Sequence, residues 1–257
     1  MIRVPHSKSG HLLNYTRFAY HFARTLPNML GTEKKTCPLC DTESRFLGFG
    51  YPPRYDVVCP RCGGFDRHRQ IKLWLDANEK RFVDKDVLHF APEEAIGRDL
   101  KRLGSSYKGA DLMPGKADIC LNIEKIDLAD ASIGVVVAIM VLEHVNDEAA
   151  LSEVYRVLEP GGFALFMVPI VEAWAQTLEE RDLSQPVQTR KDRFRYFGQW
   201  DHVRYYGRDF RDRLRQAGFD VEEFIAEEPD VRKYGLVRGE TLFIATKPDI
   251  TRRTPQD

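Results

Sequence analysis

The chain has 257 residues, enough for one large α/β domain plus a small module. Its 38 Lys+Arg and 39 Asp+Glu leave a formal net charge of −1, so no global field points to nucleic acid or an anionic membrane. There is no apolar run of about 18 residues, and Met1-Ile2-Arg3-Val4-Pro5-His6 lacks a secretory apolar region, so a cytoplasmic protein without a membrane partner is expected.

In chain order, Leu12, Tyr15, Phe18, Ala19, Phe22 and Leu26 recur at helical spacing and predict an amphipathic helix within an N-terminal segment, 1–36. Cys37-Pro38-Leu39-Cys40 and Cys59-Pro60-Arg61-Cys62 follow, with 18 residues between them. Two such pairs can close a tetrahedral four-thiolate shell, so Cys37, Cys40, Cys59 and Cys62 are expected to bind a structural Zn2+ in a ribbon over 37–65. Tyr51-Pro52-Pro53 suits an irregular hairpin between the pairs, and the fifth cysteine, Cys120, is expected to be a buried strand residue. Residues 66–82 place Ile71, Trp74, Leu75, Asn78 and Phe82 on one helical face.

An apolar strand, Val87 to Phe90, then runs into Ala91-Pro92-Glu93 and a helix. Ala91 is small, Pro92 suits a first helical turn, and the helix start offers free N–H groups. Tyr107 to Leu112 reads as a second strand ending in Asp111, where a carboxylate can accept ribose hydroxyls. Residues 118–124 read as a third strand. Val135 to Val141 is a fourth, buried strand, followed by Leu142-Glu143-His144, a helix, the Arg156-Val157-Leu158-Glu159-Pro160-Gly161-Gly162 segment and a fifth strand from Phe163 to Val168. A long stretch, about 170–206, carries Trp174, Phe194, Phe197, Trp200, His202 and Arg204 and is expected to line a pocket. A helix over 208–217 and strands from Gly218 and Thr241 finish the pattern.

The Leu-Glu-His-Val segment followed by Arg-Val-Leu-Glu-Pro-Gly-Gly resembles class I S-adenosylmethionine-dependent methyltransferases over about 86–247. Three further segments are similar to the bacterial subfamily with an N-terminal four-cysteine zinc ribbon: Phe65-Asp66-Arg67-His68-Arg69, Phe90-Ala91-Pro92-Glu93, and Gly198-Gln199-Trp200-Asp201-His202-Val203-Arg204-Tyr205-Tyr206-Gly207. The resemblance implies an α/β, Rossmann-like seven-stranded methyltransferase sheet with its last strand antiparallel, spanning 66–250, before a disordered tail at 251–257. It implies S-adenosyl-L-methionine bound by His89, Phe90, Ala91, Pro92 and Glu93 of the first loop, by Asp111 and Leu112, by Asn122 and Ile123, and by Met140. Two departures stand out: no glycine lies between Val87 and Ile96, and Gly134 replaces the usual Asp before the fourth strand.

On the acceptor side, His202, His144 and Arg204 are the candidate catalytic residues, with His202 favoured as a base. Nine Lys/Arg against four Asp between Arg190 and Arg215 suggest a small anionic metabolite or glycan precursor as methyl acceptor. Two alternatives are an RNA methyltransferase gripping nucleic acid with its ribbon and a non-catalytic cofactor-binding scaffold. The ribbon's Arg45, Arg54 and Arg61, opposed by Asp41, Glu43 and Asp56, argue against RNA.

Overall fold

The structure, a computed structural model, describes residues 31, 33–50 and 54–249. The helix expected within 11–26, Tyr51-Pro52-Pro53 and the tail at 251–257 lie outside them. Among the described residues, no helix is long and apolar enough to cross a membrane.

The described chain falls into two compact units, and the division lies within one helix. The first unit opens with two antiparallel hairpins: β1 (Lys35–Cys37) with β2 (Thr42–Ser44), and β3 (Leu47–Phe49) with β4 (Arg54–Val58). Its interior is small: Cys37, Phe46 and Cys59 are buried, with Leu39, Cys40 and Cys62 against them. Helix α1 (Asp66–Ala77) begins in this unit and ends in the next.

The second unit is a seven-stranded sheet. Its strands are β5 (Asp86–Phe90), β6 (Ser106–Asp111), β7 (Ile119–Cys120), β8 (Ile133–Ile139) and β9 (Leu158–Met167), with β12 (Asp220–Ile225) and β13 (Thr241–Thr246) completing it. The strand order is β12-β13-β9-β8-β5-β6-β7; β5 to β9 run parallel, and β13 is antiparallel to both neighbours. Helices α2 (Glu94–Leu103), α3 (Asp147–Val157), α4 (Arg190–Phe197) and α5 (Phe210–Gln216) connect these strands, and β10 (Leu178–Glu179) pairs with β11 (Arg204–Tyr205) outside the sheet.

The sequence dictates this layering. A central parallel strand is covered on both faces and so reads as a continuous apolar run, and Val135 to Ile139 are all buried. Side chains then alternate between two cores. Val87, Val135, Val137, Leu165 and Met167 join Ile71, Trp74, Ile96 and Leu100 of α1 and α2. Leu88, Phe90, Val136, Ala138 and Phe166 join Leu151, Val154, Phe210 and Leu214 of α3 and α5. The Gly161-Gly162 pair has a steric cause: Gly161 holds φ 77, and a Cβ on Gly162 would sit 2.8 Å from the Gly134 carbonyl. Gly134, the second residue of β8, is thus part of a close strand approach.

Three expectations change. The third strand shrinks to Ile119–Cys120, and 122–125 form a turn closed by an Asn122–Lys125 bridge. Cys120 is exposed, because this edge strand is too short to be covered; its Sγ lies 3.3 Å from the Leu112 carbonyl. Residues 226–238, which the sequence reading places in the 66–250 domain, group with the first unit, where α6 (Asp230–Tyr234) packs against β1.

Candidate active site and cysteine centre

In the sheet, β5 lies between β6 and β8, so the chain leaves β5 toward opposite sides at this point. Open α/β sheets bind ligands in the crevice that such a divergence leaves at the carboxyl ends of the strands. Two non-glycine residues stand there in the left-handed region: Ala91 (φ 46), just after β5, and Met140 (φ 54), just after β8. The Ala91 N–H donates to the Ala110 carbonyl at 2.8 Å, and the Met140 N–H to that of Met167 at 2.8 Å. Both residues are therefore held by the neighbouring strand while the chain turns away. Strained backbone concentrates where geometry serves function.

The next strand ends beside them. Asp111 is half-buried at the end of β6, and its Oδ1 accepts the Met113 N–H at 2.7 Å. Leu112 and Met113 are 66% and 61% exposed, an apolar surface beside that carboxylate. In the following turn Asn122 is exposed, with Oδ1 accepting the Glu124 N–H at 2.9 Å, while Ile123 is buried. Ala91, Pro92, Glu93, Asp111, Leu112, Asn122 and Met140 all lie at the carboxyl edge of β5 to β8 or in the turns that leave it. The side chains of His89 and Phe90 do not line it. Strand alternation turns both into the cores: His89 is fully buried with Nδ1 3.1 Å from the Tyr107 hydroxyl, and Phe90 packs with Leu88 and Ala138. Only the backbone of this strand end faces the cradle.

Sequence reasoning missed Gly109. A Cβ there would lie 3.0 Å from Pro92 Cγ, and its N–H donates to Asp118 Oδ2 at 2.7 Å. The glycine absent from the first loop is answered by one in the adjacent strand, which lets the Ala91-Pro92 turn settle against β6. A glycine inside a strand was the available signal, since it marks close approach of backbone.

Beyond Met140, a 3-10 turn (Leu142–His144) carries the second group of side chains. The Val203 N–H donates to the Glu143 carbonyl at 2.9 Å, which lays the Asp201–Arg204 stretch along this turn. His144 is 30% exposed, with Nδ1 3.3 Å from the Asp201 carbonyl and 3.6 Å from its Oδ2. His202 is buried, its Nδ1 3.1 Å from the Phe197 carbonyl and its ring perpendicular to His144 at 4.8 Å between centroids. Burial, and then the neighbouring His144, push the His202 imidazole below its ordinary value. A groove of about 520 Å³ opens beside His144 and is lined by Glu124, Asn146, Glu179 and Arg181.

Arg204, expected to face a substrate, borders this groove and also acts as a structural clamp. Its Nη1 donates to the Leu142 and Val145 carbonyls at 3.0 and 2.6 Å and lies 3.2 Å from Asp147 Oδ1; Nε is 3.3 Å from Glu179 Oε1. Arg213 donates to the same two carboxylates at 3.0 Å each, and the Tyr206 hydroxyl donates to Asp147 Oδ2 at 3.0 Å. Arg211 pairs with Glu172 and Glu223, and Arg215 with Asp212. Four of the nine cations of this stretch are thus paired with carboxylates.

In the first unit the four cysteines converge. Cys37 and Cys62 Sγ are 3.6 Å apart, Cys40 and Cys59 Sγ 3.8 Å, and all four lie within 4.8 Å of one another. A tetrahedral ion with metal–sulfur bonds of about 2.3 Å sets sulfurs about 3.8 Å apart, so the donor set fits zinc. The same separations exclude disulfides. Both pairs use one turn: Asp41 and Gly63, each directly after a second cysteine, have φ 52 and 70 and donate to the Cys37 and Cys59 carbonyls at 2.8 and 2.9 Å. Arg69 staples this unit. It is fully buried and donates to the carbonyls of Val57, Gly64, Asp56, Gly235 and Tyr234 at 2.6–3.1 Å, with Phe46 under its guanidinium.

The sheet order and its antiparallel strand give the second unit a class I methyltransferase fold, α/β and Rossmann-like. The sequence comparisons agree: the family model described as a methyltransferase domain matches residues 95–166. A probable S-adenosylmethionine-dependent methyltransferase of Mycolicibacterium smegmatis is 36% identical over 121 residues, covering 45% of this chain and 42% of that protein. The chain therefore matches less than half the length of this curated relative. Among solved structures, an S-adenosylmethionine-dependent methyltransferase from Mesorhizobium loti is similar at 18% identity and a TM-score of 0.48, over 69% of this chain and 97% of that one. The YcgJ protein of Bacillus subtilis is similar at 13% identity and 0.46, over 70% and 99%. By its fold and by the family match over residues 95–166, the second unit is similar to S-adenosylmethionine-dependent methyltransferases.

Proposed function

We propose that the chain transfers a methyl group from S-adenosylmethionine to a small polar metabolite, and that a structural zinc ion holds its cysteine unit together. One observation carries the first part: Ala91 and Met140 stand left-handed at the two strand ends of the switch point, with the Asp111 carboxylate one strand away. In this reading Asp111 takes the ribose hydroxyls, exposed Leu112 with Asn122 and Ile123 frames the adenine, and the Ala91-Pro92-Glu93 turn meets the methionine part. The bound cofactor supplies an electrophilic methyl on sulfur with a neutral thioether as leaving group. The protein's task is chiefly to hold an acceptor in line with it.

The groove beside His144 adjoins the turn that follows Met140, and it is the acceptor site in this reading. Because Arg204, Arg211, Arg213 and Arg215 are committed to carboxylates, a hydroxylated acceptor of the glycan-precursor kind fits better than a strongly anionic one. The RNA reading gains no support: Arg54 is paired with Asp66, and exposed Glu33, Asp41 and Glu43 share the surface of the cysteine unit.

Calorimetry with S-adenosylmethionine tests the cofactor assignment. Asp111→Ala should weaken binding tenfold or more, about 1.4 kcal/mol, with circular dichroism unchanged. Equal affinity in a folded variant would remove Asp111 from the site, and no binding by the native chain would sink the enzymatic reading.

A further inference from the structure

Apart from the four cysteines, one other group of metal-ligand side chains converges among the described residues: Glu143, His144 and His202, whose ligand atoms all lie within 4.8 Å of one another. We propose that these three side chains bind a divalent transition-metal ion at the mouth of the acceptor groove, distinct from the cysteine centre.

Both imidazoles are set up as ligands. The Nδ1 of His202 faces the Phe197 carbonyl at 3.1 Å, and that of His144 faces the Asp201 carbonyl at 3.3 Å. A carbonyl can only accept, so each Nδ1 carries the proton and each Nε2 keeps its lone pair. Metal-bound histidines characteristically donate their second ring nitrogen to a carbonyl or carboxylate, which fixes both tautomer and orientation. Here two histidines do so side by side, with Asp201 Oδ2 a further 3.6 Å from His144 Nδ1. The backbone is tied as well: Glu143 and His144 share one 3-10 turn, and the Val203 N–H, next to His202, donates to the Glu143 carbonyl.

Two imidazoles and one carboxylate suit zinc or an iron-group ion and leave coordination positions open. Neighbouring ligands of such an ion stand about 3–3.5 Å apart when bonds are about 2.0–2.1 Å. The cluster must therefore close by roughly an ångström, and His144, half-buried where the other two are buried, is the least confined member. The open positions would face the groove that His144 lines.

The binding claim is independent of the proposed methyl transfer; the role that follows rests on it. A hydroxyl of the acceptor that binds the ion becomes more acidic and releases its proton to water in the groove. The oxygen then forms its bond to the methyl carbon as the carbon–sulfur bond breaks, leaving a neutral thioether.

Cobalt(II) titration of the full-length, metal-stripped protein distinguishes the centres, because thiolate ligands give a sulfur charge-transfer band and a nitrogen–oxygen site gives none. Two equivalents should bind, the second without that band, and His144→Ala and Glu143→Gln should each weaken only the second by tenfold or more. Saturation of the native protein at one equivalent, or an unchanged second equivalent in a folded His144→Ala variant, overturns the proposal; the first of these needs no variant to fold. A second ion without S-adenosylmethionine binding would keep this site and remove the methyltransferase reading, and the converse would do the reverse.

Discussion

Ala91 holds φ 46, a conformation that costs an L-residue about 1–2 kcal/mol. Replacing it by glycine relieves that strain but adds about 0.5–1 kcal/mol of unfolded-chain entropy, so Ala91→Gly should change stability by less than about 1 kcal/mol and leave cofactor affinity intact. Ala91→Val puts a branched side chain where even alanine is strained; thermal melts should show a loss of about 1–3 kcal/mol, and calorimetry a weakened cofactor site. Tyr107 offers a titration. Burial, and then Asp118, push its phenol up to about 12 from an ordinary 10. Folding therefore favours the protonated phenol, a contribution complete below pH 10 and lost as pH rises from 10 through about 12. Tyr107 should titrate late by phenolate absorbance, as should the buried Tyr206, and Tyr107→Phe should remove one late-titrating phenol while flattening the alkaline loss of stability. At this scale the sequence was legible where chemistry is rare, as with the paired cysteines. It was misleading where strand alternation decides, because His89 and Phe90 sit next to the crevice in sequence yet point into the cores.

Among the elements, the weight falls on the stretch returning from residue 170 to β11. No periodicity announces β10 and β11, since each has only two residues and pairs outside the sheet. Their position depends on Arg204 and Arg213 gripping Asp147 and Glu179, a long-range charge network that local sequence does not encode. Arg204 reads as a substrate ligand because its surroundings are aromatic; in the fold its Nη1 is held by the Leu142 and Val145 carbonyls while the side chain borders the groove. Removing one partner of a buried ion pair strands the other, at about 3–5 kcal/mol. Arg204→Ala should lose about that much in denaturant unfolding, and limited proteolysis should open 170–206 first. The main strands, by contrast, were readable as apolar runs, because burial on both faces leaves them little choice of residue.

For the whole molecule, the two units differ in what holds them. The sheet unit buries two extensive cores, whereas the cysteine unit has Phe46 and two buried cysteines at its centre. So small an interior is one that the proposed zinc ion would stabilise. Chelation should unfold the cysteine unit, seen as new proteolytic cuts both within residues 33–70 and within 226–238, while the sheet unit keeps its circular dichroism; Cys59→Ser should behave alike. A folded, metal-free variant would contradict the zinc assignment. The discontinuity of this unit was not visible in the sequence, because residues 226–238 carry no motif and join it through main-chain carbonyls.

That discontinuity has a temporal side. Arg69 takes two of its five acceptors from Tyr234 and Gly235, 165 and 166 residues downstream. At about 5–20 residues per second of translation, the ribosome delivers them on the order of ten to thirty seconds after the last cysteine of the centre, when six of the seven sheet strands have already emerged. For that interval the nascent thiols stand without their closing clasp. Under the proposed zinc assignment, competition between the ion and an oxidant for these thiols opens in that interval.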